Sequence, residues 1–78
     1  MKRAHKAIRY EIHAIRRMAQ RGVSEQQIRE AVRHPSAVRS AKRYGAKRFE
    51  KVISRRRRLC VIAEERELEF WIVSAWWM

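Results

Sequence analysis

The first half of the chain places its apolar residues three or four positions apart. In residues 3–20 this spacing predicts an amphipathic helix with one buried stripe. The stripe consists of Ala4, Ile8, Ile12, Ile15, Met18 and Ala19. Gly22 follows, and glycine readily takes the left-handed backbone that ends many helices. We therefore predict a first helix over residues 3–20 that is terminated at Gly22.

A second, shorter helix is predicted to begin at Ser24. Ser24 and Gln27 have the spacing of a capping box, in which each side chain binds the other residue's backbone amide. The apolar face of this helix consists of Ile28, Ala31 and Val32. The residue before a proline avoids helical geometry, so the helix should end at His34, before Pro35. The two helices form a predicted hairpin.

After Pro35 the apolar residues alternate or cluster as they do in strands, and many are β-formers. Four segments have this character: residues 37–44, 47–54, 58–64 and 68–77. Gly45 and the charged stretches at 54–58 and 64–67 mark the turns, which predicts an antiparallel meander. The expected fold is α+β (ααββββ), a helical hairpin packed on a four-stranded antiparallel sheet. One domain should cover residues 1–78.

The last predicted strand is apolar on both sides. Simple alternation places Phe70, Ile72 and Trp76 on one face, and Trp71, Val73 and Trp77 on the other. Natural proteins avoid a long apolar strand at a sheet edge. Either the strand order makes this strand central, or another chain covers it. We favour a partner or a second copy of the chain over residues 76–78. A second copy there would give a homodimer.

The net charge of the chain indicates the kind of partner more strongly than the rest of its composition does. Twenty Lys and Arg residues oppose eight acidic residues, all of them Glu, for a net charge of +12. A field of this sign attracts polyanions, and arginine suits bidentate contacts with phosphate. Nucleic acid is therefore the expected partner, while an acidic protein would neutralise the same field.

The single cysteine, Cys60, excludes an internal disulfide framework and fits a reducing compartment. There is no apolar run long enough to span a bilayer, and the N-terminus lacks the apolar core of a signal peptide. With three His and one Cys, no metal-ligand motif is present. We expect a cytoplasmic protein without a membrane partner, a metal or another cofactor.

The first helix carries an unusual polar stripe. His13, Arg17 and Arg21 are four residues apart, so they share one helix face, turned away from the apolar stripe. A neutral histidine can remove the 2′-hydroxyl proton of RNA, and arginines can stabilise the charge that develops on the phosphate. Arg9 and Arg16 flank the stripe. This arrangement predicts metal-independent RNA cleavage.

Two structural interpretations of the same stripe stay open. Arginines in the last turn of a helix interact favourably with the negative end of its dipole, which alone could explain Arg17 and Arg21. A single surface histidine such as His13 is more often structural than catalytic.

Two stretches, HAIRRMAQRGVSEQQIREAVRHP and RRLCVIAEERELEFWIVSAWW, resemble the small bacterial DUF4258 family. The family pattern is roughly H-A-x-x-R-M-x-x-R-G-[IV]-[ST], then a helix ending near Pro and strands ending in an aromatic run. The resemblance covers about residues 13–77. It implies a fold related to RelE/ParE-type toxins, more distantly to BrnT-type toxins, and to barnase-like and colicin-type ribonucleases. It also implies metal-independent RNA cleavage or a toxin–antitoxin role.

Position by position, the resemblance implies functional roles for residues beyond the stripe. Arg48 best matches the family's strand cation, with Lys47 and Lys51 as alternatives, and Ser74 matches a hydroxyl in the last strand. The expected catalytic residues are His13, Arg17, Arg21 and Arg48. The expected nucleic-acid contacts are Arg9, Arg16, Lys51, Arg58 and Ser74.

The leading hypothesis is therefore a toxin-like, metal-independent endoribonuclease, with mRNA as a candidate substrate. A second hypothesis is a non-catalytic RNA- or DNA-binding module that uses the same basic face. A third is an interaction domain whose apolar C-terminal strand docks an acidic, antitoxin-like protein.

Overall fold

The structure is a computed structural model that describes residues 6–43 and 45–78. In chain order its elements are β1 (Ala7–Tyr10), α1 (Ile12–Arg21), α2 (Glu25–Arg33), β2 (Ala37–Ser40), β3 (Ala46–Ser54), β4 (Arg57–Glu65) and β5 (Glu69–Trp77). The strands form one sheet in the order β1-β5-β4-β3-β2. Strand β1 is parallel to β5, and the other neighbours are antiparallel. The α+β class is confirmed, but the prediction of four antiparallel strands is wrong because β1 adds a fifth.

The added strand replaces the first part of the predicted helix over residues 3–20. Residues 3–5 of that prediction lie outside the described residues, and residues 7–10 are extended. The four-residue step from Ile8 to Ile12 fits a helix, but Ile8 and Tyr10 also alternate with polar or small neighbours, as in a strand. Residues 7–10 form a strand and not a helix because they pair with residues 69–72 of β5.

Helix α1 also buries a different face from the predicted one. Ala14 and Met18 are in the core, whereas Ile12 is 73% exposed and Ile15 is 54% exposed. Because β1 leads into the helix through the extended residue Glu11, the helix is rotated relative to a continuous helix from residue 3. The apolar stripe Ile12, Ile15 and Ala19 therefore faces outward.

The predicted C-terminal end of α1 and both predicted ends of α2 are confirmed. Gly22 has φ 68° and ψ 37°, a left-handed conformation that glycine takes without strain. The capping box of α2 is formed: Gln27 N donates to Ser24 Oγ at 3.1 Å, and Ser24 N donates to Gln27 Oε1 at 3.0 Å. The predicted strand over residues 37–44 is shorter in the structure and ends at Ser40; Tyr44 lies outside the described residues.

Strand β5 lies between β1 and β4, so it is not the edge strand that a simple meander would make it. A bulge also interrupts its alternation: Ile62 pairs with Ser74, and the next residue, Ala63, pairs with Ile72. The predicted faces of the two C-terminal tryptophans are therefore wrong. Trp77 joins Phe70 and Ile72 on the helix side, and Trp76 lies on the opposite face.

Helix α1 shields the part of β5 that β1 does not reach. Arg21 Nη1 donates to Ala75 O at 2.7 Å, and Trp77 Nε1 donates to Arg21 O at 2.9 Å. The Arg57 guanidinium carbon lies 3.8 Å from the centre of the Trp77 ring. Trp77 thus has a cover within the chain, and the homodimer through the C-terminal strand stays a prediction.

Both helices pack on one face of the sheet. The core lies between the helices and this face of the sheet, and its largest members are Phe49, Phe70, Ile28, Leu59 and Ile72. The rings of Phe49 and Phe70 are in edge-to-face contact, with their centres 5.8 Å apart. No helix in the described part of the chain covers the other face, which we call the open face. Neither α1 nor α2 is long and apolar enough to cross a membrane.

Candidate nucleic-acid interface

The strand register arranges the open face in rows, because residues paired across neighbouring strands point to the same side of a sheet. One row, from β2 to β5, consists of Arg39, Arg48, Ile62 and Ser74. The next row consists of Ala37, Glu50, Cys60 and Trp76. The register therefore places two of the predicted functional residues, Arg48 and Ser74, in the same row.

Three arginines surround one buried carboxylate on this face. Glu50 is 3% exposed. Its Oε2 lies 3.1 Å from Arg39 Nε and 3.0 Å from Arg48 Nε, and its Oε1 lies 3.0 Å from Arg58 Nη1. The Arg48 contact is an ion pair whose angles are not those of a hydrogen bond. We call Arg39, Arg48 and Arg58 the three-arginine cluster.

The cluster keeps its central carboxylate ionised. Burial alone raises the pKa of Glu50, but the hydrogen bond from Arg58 and the charges of Arg39 and Arg48 outweigh it, so the pKa lies below the ordinary value of 4.5. One negative charge then faces three positive charges. Each guanidinium also has N–H donors that the carboxylate does not use. The cluster can therefore accept further anions.

Arg48 is the most constrained member of the cluster. Besides Glu50, its Nη2 contacts Cys60 Sγ at 3.5 Å and Met78 Sδ at 3.3 Å. Its guanidinium carbon lies 5.6 Å from the centre of the Trp76 ring, a cation–π distance. A cation held on several sides loses little side-chain entropy when it binds a ligand.

A groove of about 420 Å³ opens beside Arg48. Its described lining residues are Ser40, Ala41, Lys42, Arg43, Arg48, Ile62, Val73, Ser74 and Trp76. It thus combines an apolar part, three cations and two hydroxyls.

The stripe predicted on α1 lies apart from this groove. His13, Arg16 and Arg17 are exposed and have no hydrogen bond or ion pair within the described residues. Arg21 donates to the backbone of β5, a structural contact. None of these four residues belongs to the described lining of the groove. The structure therefore does not bring His13 and Arg17 together with Arg48.

The remaining predicted contacts divide between the two faces. Arg58 belongs to the three-arginine cluster, and Arg9, paired with Trp71 on the open face, forms an ion pair with Glu69 at 3.0 Å. Lys51 instead donates to the His34 carbonyl at 2.8 Å, at the end of α2. In the described part of the chain, no group of three His, Cys or acidic residues is arranged to hold a metal ion.

Sequence reasoning missed Arg39, Glu50 and Trp76 as parts of the site. One signal was available: Glu50 is the only acidic residue between Glu30 and Glu64, and it stands two residues from Arg48 in a predicted strand. A lone acid on the same strand face as an arginine indicates a local charge cluster. Arg39 and Trp76 could be found only from the strand register.

The family described as a domain of unknown function, DUF4258, matches residues 10–77. Because the match covers most of the chain, the protein belongs to the DUF4258 family. No curated protein and no solved structure matches the chain.

Proposed function

We propose that this protein binds RNA through the open face of its sheet, with the phosphates held by the three-arginine cluster. The observation that carries the proposal is the arrangement of these guanidinium groups around one buried carboxylate, Glu50. We choose RNA over DNA because the DUF4258 resemblance implies kinship with ribonuclease toxins of the RelE/ParE type, and that kinship is part of the proposal.

The three-arginine cluster is not an arrangement that stability alone would favour. Arg39 and Arg48 are directly opposite each other on paired strands, and like charges at such positions destabilise a sheet. Glu50 offsets only part of this repulsion, because one carboxylate faces three cations. A bound phosphate would supply the missing negative charge, and arginine presents a planar set of donors suited to it.

The test is the affinity for a labelled single-stranded RNA of mixed sequence, measured by fluorescence anisotropy over a range of salt concentrations. Arg39→Gln and Arg58→Gln should each weaken binding by roughly 5- to 10-fold and reduce the salt slope by about 0.7 per lost phosphate contact. Arg29→Gln is the matched control. Arg29 is exposed on α2 and has no hydrogen bond or ion pair among the described residues, so its loss should change affinity less than about twofold.

If all three variants weaken binding equally, only the net charge matters and the open face is not the site. If the wild-type protein binds without salt dependence, or does not bind at all, RNA is not the natural partner.

Metal-independent RNA cleavage is the second candidate function. The observation that favours it is that His13 and Arg17 are exposed one helical turn apart, with no acidic partner among the described residues. In this mechanism His13 takes the 2′-hydroxyl proton and the oxygen attacks the adjacent phosphorus, while Arg17 stabilises the added negative charge. The bond between phosphorus and the 5′ oxygen then breaks, which leaves a 2′,3′-cyclic phosphate, and the leaving 5′ oxygen takes a proton from water. Helix α1 lies on the opposite side of the sheet from the open face. RNA held on the open face would therefore have to pass around the edge of the sheet at β1 and β5 to reach α1.

Cleavage of the same RNA tests this candidate. His13→Ala should reduce the rate by roughly 10²- to 10⁴-fold while RNA affinity stays within about twofold, because the histidine supplies proton transfer and little binding. Arg17→Ala should lower both the cleavage rate and the RNA affinity. Cleavage should persist in EDTA because this mechanism uses no metal ion. A wild-type protein that cuts nothing, or a His13→Ala variant that cuts normally, would contradict the cleavage candidate and leave RNA binding as the only proposed function.

A further inference from the structure

We infer that the groove beside Arg48 holds one unpaired nucleobase, stacked against Trp76, so that the protein selects single-stranded over double-stranded RNA. This inference rests on the proposed RNA-binding function and deepens it. It concerns the part of the open face that phosphate binding leaves unexplained, namely an apolar surface in the middle of a strongly cationic face.

The apolar part of the groove is built by the bulge in β5. Because Ile62 pairs with Ser74 and Ala63 pairs with Ile72, β5 carries one extra residue, Val73, at this point. Val73 and Ser74 both line the groove, together with Ile62 and Trp76. A regular strand would direct one of these two residues to the helix side. The bulge thus widens the apolar surface next to the Trp76 ring.

Cations and hydroxyls surround this apolar surface. Lys42 is exposed and has no hydrogen bond or ion pair among the described residues, and Arg43 reaches Glu64 at 3.2 Å. Arg48 connects the groove to the three-arginine cluster because it lines the first and belongs to the second. Phosphates on either side of a bound base would therefore meet cations at both ends of the groove.

A nucleobase matches these features better than the other occupants of this size do. Its flat π-surface can stack on an indole ring or on a guanidinium plane, and every base offers such a surface. Its polar edge can meet the hydroxyls of Ser40 and Ser74, which both donate and accept hydrogen bonds. An apolar peptide side chain would contact the indole ring but would bring no negative charge to Lys42 or to the unused N–H donors of Arg48. Hydroxyls do not distinguish strongly among bases, so we expect stacking without strict sequence preference.

A paired base in a duplex cannot enter the groove, because its face is already stacked on its neighbours. The groove therefore favours single strands, whereas the three-arginine cluster alone would bind the phosphates of either form.

The experiment compares an RNA oligomer with an abasic sugar–phosphate oligomer of the same length and charge, at one salt concentration. The wild-type protein should bind the RNA roughly 5- to 150-fold more tightly, the range expected for one stacked base. Trp76→Leu should remove this preference. It should weaken binding to the abasic oligomer much less than binding to the RNA, because Arg48 keeps its contacts with Glu50, Cys60 and Met78. Trp76→Phe, which keeps an aromatic ring, should retain most of the preference.

Trp71→Leu is the matched control. Trp71 is also on the open face, with the Arg66 guanidinium carbon 5.1 Å from the centre of its ring, but it does not line the groove. Its loss should leave the preference for bases unchanged. If Trp71→Leu removes the preference as fully as Trp76→Leu does, the groove is not the base site and the inference fails.

The wild-type comparison separates this inference from the proposed function, even if a tryptophan variant does not fold. Equal, salt-dependent affinity for both oligomers would overturn the inference and leave phosphate binding intact. Tighter binding to a duplex of the same sequence than to the single strand would overturn it as well. Failure to bind any of the three ligands would instead overturn the proposed function.

Discussion

Phe49 and Glu50 are neighbours in β3, and both are almost completely buried, yet they belong to opposite faces of the sheet. Phe49 is 0% exposed and packs edge-to-face on Phe70 under the helices. Glu50 is 3% exposed, and among the described residues no helix covers it. What covers Glu50 is the set of arginines that it binds.

The comparison shows two ways of burying a side chain in one strand. On the helix-covered face, burial removes apolar surface from water and stabilises the fold directly. On the open face, the buried carboxylate holds cations whose outer sides stay accessible, so burial there serves mainly to position charge. Substitutions on the helix-covered face should mainly change stability, and substitutions of the open-face cations should mainly change binding.

The largest effect on stability is expected for Phe49→Ala. Removing this fully buried ring leaves a cavity next to Phe70 and should lower the free energy of unfolding by about 3–5 kcal/mol. Val52→Ala is the matched control, because Val52 is an exposed residue of the same strand that pairs with Arg58 on the open face. Its cost should be below about 1 kcal/mol. Urea unfolding measures both, and similar costs would contradict the separation of the two faces.

A smaller effect is expected for Arg21→Ala at the edge of β5. This change removes the donor that Arg21 supplies to the Ala75 carbonyl, in the part of β5 that β1 does not cover. It should lower the free energy of unfolding by about 1 kcal/mol. Arg17→Ala, one turn earlier and without a partner among the described residues, should change stability by less than about 0.5 kcal/mol.

Melting curves of the two arginine variants, measured alongside RNA binding, separate a structural from a functional role within the predicted stripe. Equal stability of both variants would mean that the contact between Arg21 and Ala75 contributes nothing measurable to the fold.

The elements that sequence reasoning identified are those whose signals are local. The capping box of Ser24 and Gln27, the left-handed Gly22 and the proline after α2 each depend on residues within a few positions, so the helical hairpin was predictable. Strand β1 was not, because residues 7–10 become a strand only by pairing with residues 69–72 near the other end of the chain. The bulge at Val73 was missed for the same reason, since it exists only in the pairing with β4.

The candidate site was predicted in part, for a related reason. The family resemblance pointed to Arg48, Arg58 and Ser74, all of which lie on the open face. It could not add Arg39 and Trp76, because their neighbours are set by strand register rather than by sequence distance. The helical spacing of His13, Arg17 and Arg21 was correct, but spacing alone does not show that Arg21 binds the strand backbone.

The smallest effect, and the most specific to the open face, is the dependence of stability on pH. The pKa of Glu50 lies below its ordinary value of 4.5, so the folded protein holds the Glu50 carboxylate in its ionised form more strongly than the unfolded chain does. The stability contributed by ionised Glu50 is fully present above pH 4.5, the unfolded value, and is lost as the pH falls through the lower, folded value.

Melting temperatures of the wild-type protein and Glu50→Gln, measured from pH 7 to about pH 3, check this dependence. Glutamine has the shape of protonated glutamate and cannot neutralise the three arginines, so the variant should melt at a lower temperature at pH 7. The gap between the two melting temperatures should stay constant down to about pH 5 and close at lower pH, where the wild-type carboxylate also becomes neutral.

Glu67→Gln is the control, because Glu67 is exposed in the turn between β4 and β5. Its melting temperature should differ little from that of the wild-type protein at any pH. A gap for Glu50→Gln that persists unchanged at the lowest pH would contradict this account, because protonating the wild-type carboxylate would then not remove its advantage over glutamine. The three arginines would then not depend on a negative charge at their centre.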